Sequence, residues 1–241
     1  MRIYDSVLEA VKETERDLFE MGIDNHAPSV QDLDVKSNPD YDSKELLGYG
    51  YVVTKFLDID DIFDFFFQNP IEKQGVMDYV NQELKDRFSS FPLNPGRSWY
   101  HRREYWERFL HDGLFSYTYS ERICHQIPLI ISELRTHPES RQCVITVFRS
   151  LDLSQMGGKS RIPCSMYYHF LRRKISGRDV LLLNYTMRSC DYYTHFPIDV
   201  WLAIQMGKKI AESIGCKLYS FTHFMGSLHA FRKDFGKRRI F

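Results

Sequence analysis

Apolar and polar positions alternate along this chain with two different periods, and the change of period marks out its elements. Ile3, Val7, Leu8, Val11, Leu18 and Phe19 recur at helical spacing among charged residues and stop near Gly22, which predicts an N-terminal helix. Residues 24–43 are polar and carry Pro28, Pro39 and several aspartates, so they read as a loop. Within 46–56, Tyr51-Val52-Val53-Thr54 has strand composition. Residues 58–68 mix acids with Phe63, Phe65, Phe66 and Phe67, where helix is favoured over strand. A second helix is predicted over 77–88, carrying Gln82-Glu83-Leu84, before a loop marked by Pro92, Pro95 and Gly96. Residues 99–110 are aromatic and basic, and their class stays open.

Over 121–134, Ile123, Ile127, Ile130, Ile131 and Leu134 form the apolar side of a helix, in which Pro128 implies a kink or a late start. His137-Pro138-Glu139 ends it, and 143–148 is a β-branched strand. Two more strands, 166–171 and 180–185, are joined around Ser176-Gly177-Arg178-Asp179 as a hairpin. The long pattern over 198–214 predicts a central helix closed by Gly215, followed by a strand over 218–224 and a basic tail. Repeats, low-complexity segments and a convincing boundary are all lacking. The expectation is one α+β domain over 1–241, with helices packed on a large mixed sheet.

Composition narrows the function classes. A chain of 241 residues with 43% hydrophobic content can bury a full core. Lysine plus arginine and aspartate plus glutamate balance at 32 each, so no whole-molecule field points to nucleic acid or a membrane surface. Five cysteines at scattered spacings fit neither a disulfide framework nor a zinc site and read as reduced thiols in a cytoplasmic protein. Met1 leads into polar residues and no long apolar run follows, which argues against secretion and membrane spanning. The aromatic content (18 Phe, 15 Tyr, 3 Trp) suits a heavily packed sheet or a subunit interface.

The stretch from Tyr185 to Asp199 holds the candidate chemistry. Arg188 has the planar fork that grips phosphate, and Asp199 stands where Pro197 opens the central helix. Taken alone these read sooner as a surface arginine and a capping aspartate. Cys164, ahead of a strand, is by itself more often a core cysteine than a nucleophile. The order of motifs changes that balance. Arg161-Ile162-Pro163-Cys164-Ser165, then Arg188-Ser189-Cys190-Asp191, then Gly226-Ser227-Leu228-His229 resemble the thymidylate synthase superfamily, with its Pro-Cys nucleophile, Arg-Ser-x-Asp motif and late Gly-x-x-His. The resemblance is good over 110–235 and weak over the first hundred residues.

The resemblance implies a role for each matching residue. Cys164 would be the nucleophile, followed by Ser165 where thymidylate-forming members have histidine. Arg188 and Ser189 would hold the nucleotide phosphate, and Arg188 would also lower the thiol pKa. Arg141 matches a second phosphate arginine that crosses a homodimer interface; Gln142 replaces the arginine usual after it. Lys36 is the candidate for a further cation from the first loop, and Trp106 and Tyr117 would line the site. Glu83 resembles the catalytic glutamate of the deoxycytidylate hydroxymethylase branch, with Asp64 as the alternative. Asp191 would bind the pterin of the folate and His229 the sugar hydroxyl, although Phe231 stands where relatives have a sugar-binding tyrosine.

Asp199, eleven residues after Arg188, occupies the place of the base-reading residue, asparagine in uracil-using relatives. An aspartate accepts from the N4 amino group of cytosine and, when protonated, donates to N3. The resemblance therefore implies a cytidylate or deoxycytidylate (CMP or dCMP) 5-hydroxymethylase. It would use 5,10-methylenetetrahydrofolate and water through a Cys164–C6 adduct, as a homodimer binding a pyrimidine nucleoside monophosphate, with no metal. The sequence stops at Phe241, where relatives continue into a tail that closes over the folate, which puts folate use in question. Thymidylate- or uridylate-type transfer, non-catalytic nucleotide binding, and a purely structural role stay open as alternatives.

Overall fold

The computed structural model describes residues 1–27, 29–30, 33–156 and 161–236. In chain order its elements are β1 (Arg2–Tyr4), α1 (Val7–Met21), β2 (Ile23–His26), β3 (Ser29–Val30), β4 (Leu33–Asp34) and β5 (Asp42–Val53). The helices α2 (Asp61–Phe66), α3 (Pro70–Arg87), α4 (Arg103–Trp106), α5 (Tyr119–Ile123) and α6 (Gln126–Thr136) follow. The chain then returns to the sheet in β6 (Val144–Thr146), β7 (Ser165–Ile175) and β8 (Arg178–Asp191), crosses over by α7 (Phe196–Ser213), and adds β9 (Lys217–Phe231).

Seven of these strands form one sheet in the order β1-β5-β9-β8-β7-β6, with β2 also pairing to β5. It is mixed: β1 runs parallel to β5 and β8 to β9, and the remaining pairs are antiparallel. The parallel β8–β9 pair needs a crossover, which α7 supplies. Ser176 and Gly177, with φ of 49° and 76°, make the tight turn of the expected β7–β8 hairpin. The α+β architecture with helices on a mixed sheet is the one expected.

A row of rings crosses the centre of the sheet. Tyr168, Tyr185, His223 and Tyr51 are register partners on four adjacent strands. Tyr168 stacks on Tyr185 at 4.4 Å and Tyr185 on His223 at 5.1 Å. Phe196 at the start of α7 lies 5.8 Å from His223, so the row faces the helices. α7 is apolar over most of its surface and buries twelve of its residues between Phe196 and Ala211, leaving Lys209 exposed. Strand alternation puts Tyr167, Thr186 and Phe224, also register partners, on the opposite face, where Tyr167 and Phe224 stay exposed. No helix among the described residues is long and apolar enough to cross a membrane. All five cysteines are free thiols.

Several boundaries differ from the expectation. Ile3 belongs to β1, and α1 begins only at Val7, because the Ser6 side chain caps the Glu9 amide (3.1 Å). The polar segment 24–43 is not wholly loop: β2, exposed throughout, pairs antiparallel with β5 at the sheet margin, where a backbone ladder needs no apolar side chains. Pro28 lies outside the described residues. α3 starts at Pro70 rather than near 77, since Asn69 Oδ1 accepts from the Ile71 amide (2.9 Å) and Pro70 takes the first helical position. The helix expected over 121–134 is two: α5 ends at Ile123, and α6 places Pro128 in its first turn, the late start that the proline implied.

Candidate active site

The β7–β8 hairpin creates the first pairing. Ser165 stands opposite Met187, which makes neighbours of Cys164 and Arg188. The Arg188 amide donates to the Cys164 carbonyl (2.8 Å), and its guanidinium folds back over the same loop. Nε donates to the Pro163 carbonyl (2.9 Å), Nη2 to that of Ile162 (3.0 Å), and Nη2 lies 3.9 Å from Cys164 Sγ. Arg188 thus anchors the loop that carries the thiol while presenting positive charge to it. The register shifts between Ser165 and Tyr167, a local bend of the kind found beside functional sites. Ser165 is fully buried below the thiol, bonded through Oγ to Tyr119 Oη (2.9 Å) and to the Tyr185 hydroxyl.

The parallel register of β8 and β9 makes the second pairing, Ser189 opposite Ser227 and Asp191 opposite His229. The strands approach so closely here that a Cβ on Gly226 would stand 2.9 Å from the Arg188 carbonyl oxygen, which accounts for glycine at this position. The three separated motifs are therefore neighbours through strand pairing alone. Asp191 Oδ1 accepts from the Tyr193 and Thr194 amides (3.2 and 3.1 Å), and burial raises its pKa. Burial lowers that of His229, against the pull of Asp191 and Glu45. The His229 ring lies 5.0 Å from that of Phe231.

Asp199 is in the first turn of α7, its amide bonded to the His195 carbonyl (2.8 Å). Its carboxyl caps nothing and has no hydrogen-bond partner among the described residues, so it is not the ordinary helix cap. Burial pushes its pKa up to about 7, with Arg87 pulling down and Glu83 pushing up. Glu83 reaches the same neighbourhood from α3, which packs on α7. Its Oε1 accepts from Arg87 Nε (2.8 Å) and its Oε2 from Ser98 Oγ (2.7 Å). Arg87 is only 2% exposed; it also donates to Tyr168 Oη (3.2 Å) and lies 4.1 Å from the centre of the Tyr119 ring.

The thiol is governed first by burial, which raises its pKa; Arg188 and Arg161 lower it, and Asp199 and Asp191 raise it further. Arg188 thus acts in the expected sense, but the balance goes the other way, because a thiolate is poorly solvated here. Tyr117 is buried and Trp106 half-buried beside this centre. Arg161 links them, its guanidinium 4.5 Å from the Trp106 ring and 5.2 Å from that of Tyr117.

Three sequence candidates lie elsewhere. Lys36 is exposed, and its backbone bonds to His26 and Asp34. Arg141 is exposed just before the edge strand β6, and its carbonyl accepts from His169 Nε2 (3.1 Å). Asp64 is on the surface in an ion pair with Lys73 (2.5 Å), outside the Asp199 neighbourhood that Glu83 occupies. Sequence reading missed Arg87, Ser98 and the Ser165 hydroxyl network. The one available signal was the spacing of Glu83 and Arg87, four residues apart on a helix, which usually marks a surface pair.

Residues 88–239 match the thymidylate synthase family. Over 126 residues the chain is 27% identical to a thymidylate synthase of Sphingopyxis alaskensis, covering 52% of this chain and 39% of that protein. Over 123 residues it is 29% identical to a putative thymidylate synthase of Methanocaldococcus jannaschii, covering 50% of this chain and 54% of that protein. A bifunctional dihydrofolate reductase-thymidylate synthase of Paramecium tetraurelia is 25% identical over 113 residues, 47% of this chain and 23% of that protein. The matched part thus spans about half or less of each relative. The family match covers Cys164, Arg188 and Asp199 but begins after Glu83. By that match over most of its length, the chain belongs to the thymidylate synthase family.

Proposed function

We propose that this chain is a C5-hydroxymethyltransferase of cytosine nucleoside monophosphates that uses 5,10-methylenetetrahydrofolate and water. The observation that carries the reading is the Asp199 carboxyl, which has no hydrogen-bond partner among the described residues and a pKa of about 7. At neutral pH a large fraction is the acid, which donates to cytosine N3 while its carbonyl oxygen accepts from the N4 amino group. Donation to N3 draws electrons from the ring and prepares C6 for the Cys164 thiolate. A neutral Asp199 also removes a negative charge that opposes thiol ionisation. Adduct formation at C6 makes C5 the nucleophile.

The other residues take supporting roles. Arg188 and Ser189 would hold the phosphate, with Lys36 and the Arg141 of a second copy as further cations. His229 would bind a sugar hydroxyl, and Tyr117 and Trp106 would wall the base. Each Glu83 oxygen keeps a second lone pair after its bonds to Arg87 and Ser98, so Glu83 can order the water that ends up on the exocyclic carbon. The folate, when bound, supplies the one-carbon unit. One observation fits it: the buried Trp106 Nε1 is a donor without an acceptor among the described residues, beside the centre that holds Asp191. The helix-free sheet face with Tyr167 and Phe224 exposed supports a homodimer.

Thymidylate-type transfer is the second reading, favoured by the names of the relatives. Incubation with dCMP or CMP and the folate should give a 5-hydroxymethyl nucleotide, detected by mass, and Cys164→Ser should give none. Conversion of dUMP but neither cytosine nucleotide would select the second reading.

A further inference from the structure

Asp199 stands among phenols, yet its carboxyl has no hydrogen-bond partner among the described residues. Tyr119 from α5, Tyr168 from β7 and Tyr185 from β8 all lie within electrostatic reach of it. A carboxyl beside a phenol in a site closed from water ordinarily accepts its O–H, because both groups lose by staying unpaired. Here the hydroxyls are spent elsewhere. Tyr119 Oη is 2.9 Å from Ser165 Oγ, and the Tyr185 hydroxyl bonds to the same oxygen. Tyr168 Oη accepts from Arg87 Nη1 (3.2 Å) and is held by Tyr185 and Ser165 as well. A serine oxygen has two lone pairs, enough to accept from Tyr119 and Tyr185 together.

The surroundings fix this arrangement. Ser165, Tyr168 and Tyr185 are fully buried. The rings of Tyr168 and Tyr185 stack at 4.4 Å with an interplanar angle of 1°, which brings their hydroxyls together beside Ser165. The Arg87 guanidinium, 4.1 Å from the centre of the Tyr119 ring, holds that ring from the other side. The other titratable groups that face Asp199 are Tyr79, Glu83 and Arg87 on α3, Cys164 before β7 and Cys190 on β8. Arg87, the cation among them, is taken up by Glu83 Oε1 (2.8 Å).

We infer that Ser165 is a positioning residue: by gathering the Tyr119, Tyr168 and Tyr185 hydroxyls beneath the thiol, it keeps them off the Asp199 carboxyl and leaves that carboxyl free for the base of the nucleotide. The inference rests on the reading of Asp199 given above. A phenol donating to Asp199 would favour the carboxylate. The acid form, which donates to cytosine N3, would then be scarce at neutral pH.

The test takes two measurements on the whole chain. One is the titration of the Asp199 carboxyl-carbon NMR resonance, assigned by its loss in Asp199→Asn. The other is calorimetric dCMP affinity at pH 5 and pH 8. The wild-type midpoint should lie near 7. Ser165→Ala releases the hydroxyls, and the midpoint should fall by about one pH unit, the scale of one hydrogen bond to a charged group. Binding of dCMP should then be about tenfold weaker than in the wild type at pH 8 and equal at pH 5. The titrations of dCMP itself are common to both proteins and cancel. Ser165→Thr, which keeps the hydroxyl, should restore the midpoint. Tyr119→Phe and Tyr185→Phe probe the same point with Ser165 in place: each should melt earlier with the midpoint unmoved. A raised midpoint in either would mean that its hydroxyl already bonds Asp199, and an unmoved midpoint in Ser165→Ala would mean that Ser165 holds nothing back. Both results overturn the inference. Midpoints that behave as expected while dCMP affinity ignores them would support the part played by Ser165 and sink the cytosine reading of Asp199.

Discussion

Asp199 joins two properties that a surface aspartate does not combine, a carboxyl without a hydrogen-bond partner among the described residues and a pKa of about 7. Its folded pKa lies above the ordinary carboxylate value, so the stability it contributes is fully present below about pH 4 and is lost as pH rises through about 7. Asp199→Asn should therefore match the wild type in thermal melts near pH 4 and exceed it at pH 8, by at most on the order of 4 kcal/mol. Equal melting at both pH values would remove the perturbed carboxyl. Arg87 allows a second test at this scale. Arg87→Leu strands Glu83 with only Ser98, and loss of one member of a buried ion pair costs about 3–5 kcal/mol in denaturant unfolding. Adding Glu83→Gln should recover part of that cost; a loss below ~1 kcal/mol would mean that the pair is solvated. Cys164 and Arg188 were legible as candidates because each sits in a motif of fixed spelling, and Asp199 because it stands eleven residues after Arg188 at the start of the central helix. Arg87 was not, since helical spacing says nothing about whether a charged pair faces solvent or core.

At the scale of elements, the sequence showed the existence and type of the long pieces better than their ends. β8 and β9 were expected to stop near Tyr185 and Phe224, where apolar alternation fades, yet both continue through the motif residues to Asp191 and Phe231. Polar side chains facing a site interrupt the pattern without interrupting the ladder, so the chemistry itself hid the strand ends. Strand pairing also explains how motifs far apart in sequence meet, and Gly226 is a point of close backbone approach in that pairing. Gly226→Ala should push β9 from β8, cost about 1–3 kcal/mol as overpacking does, and weaken nucleotide binding through Arg188. Unchanged stability and affinity would mean that the strands separate freely there.

At the scale of the molecule, Arg141 lies by the edge strand with its bonds outside the Cys164 centre, a position that makes sense if it serves the site of a second copy. Arg141→Ala and Cys164→Ser would each be inactive as pure dimers. After mixed refolding, activity should return, because one site of the hybrid keeps both its own Cys164 and the other chain's Arg141. No recovery would place Arg141 outside the site or within its own. The overall α+β plan was readable from periodicity, but the pairing of β2 with β5 was not, because an exposed edge strand carries no apolar signal. The central claim is that Asp199 makes this family member a reader of cytosine. Its most direct test is calorimetric titration of the wild type and Asp199→Asn with dCMP and dUMP at pH 7. The account predicts that the wild type prefers dCMP by about tenfold or more, the cost of leaving one buried polar group unpaired, and that Asp199→Asn narrows or inverts the ratio. Equal binding of the two nucleotides by the wild type, or an unchanged ratio in Asp199→Asn, would contradict it.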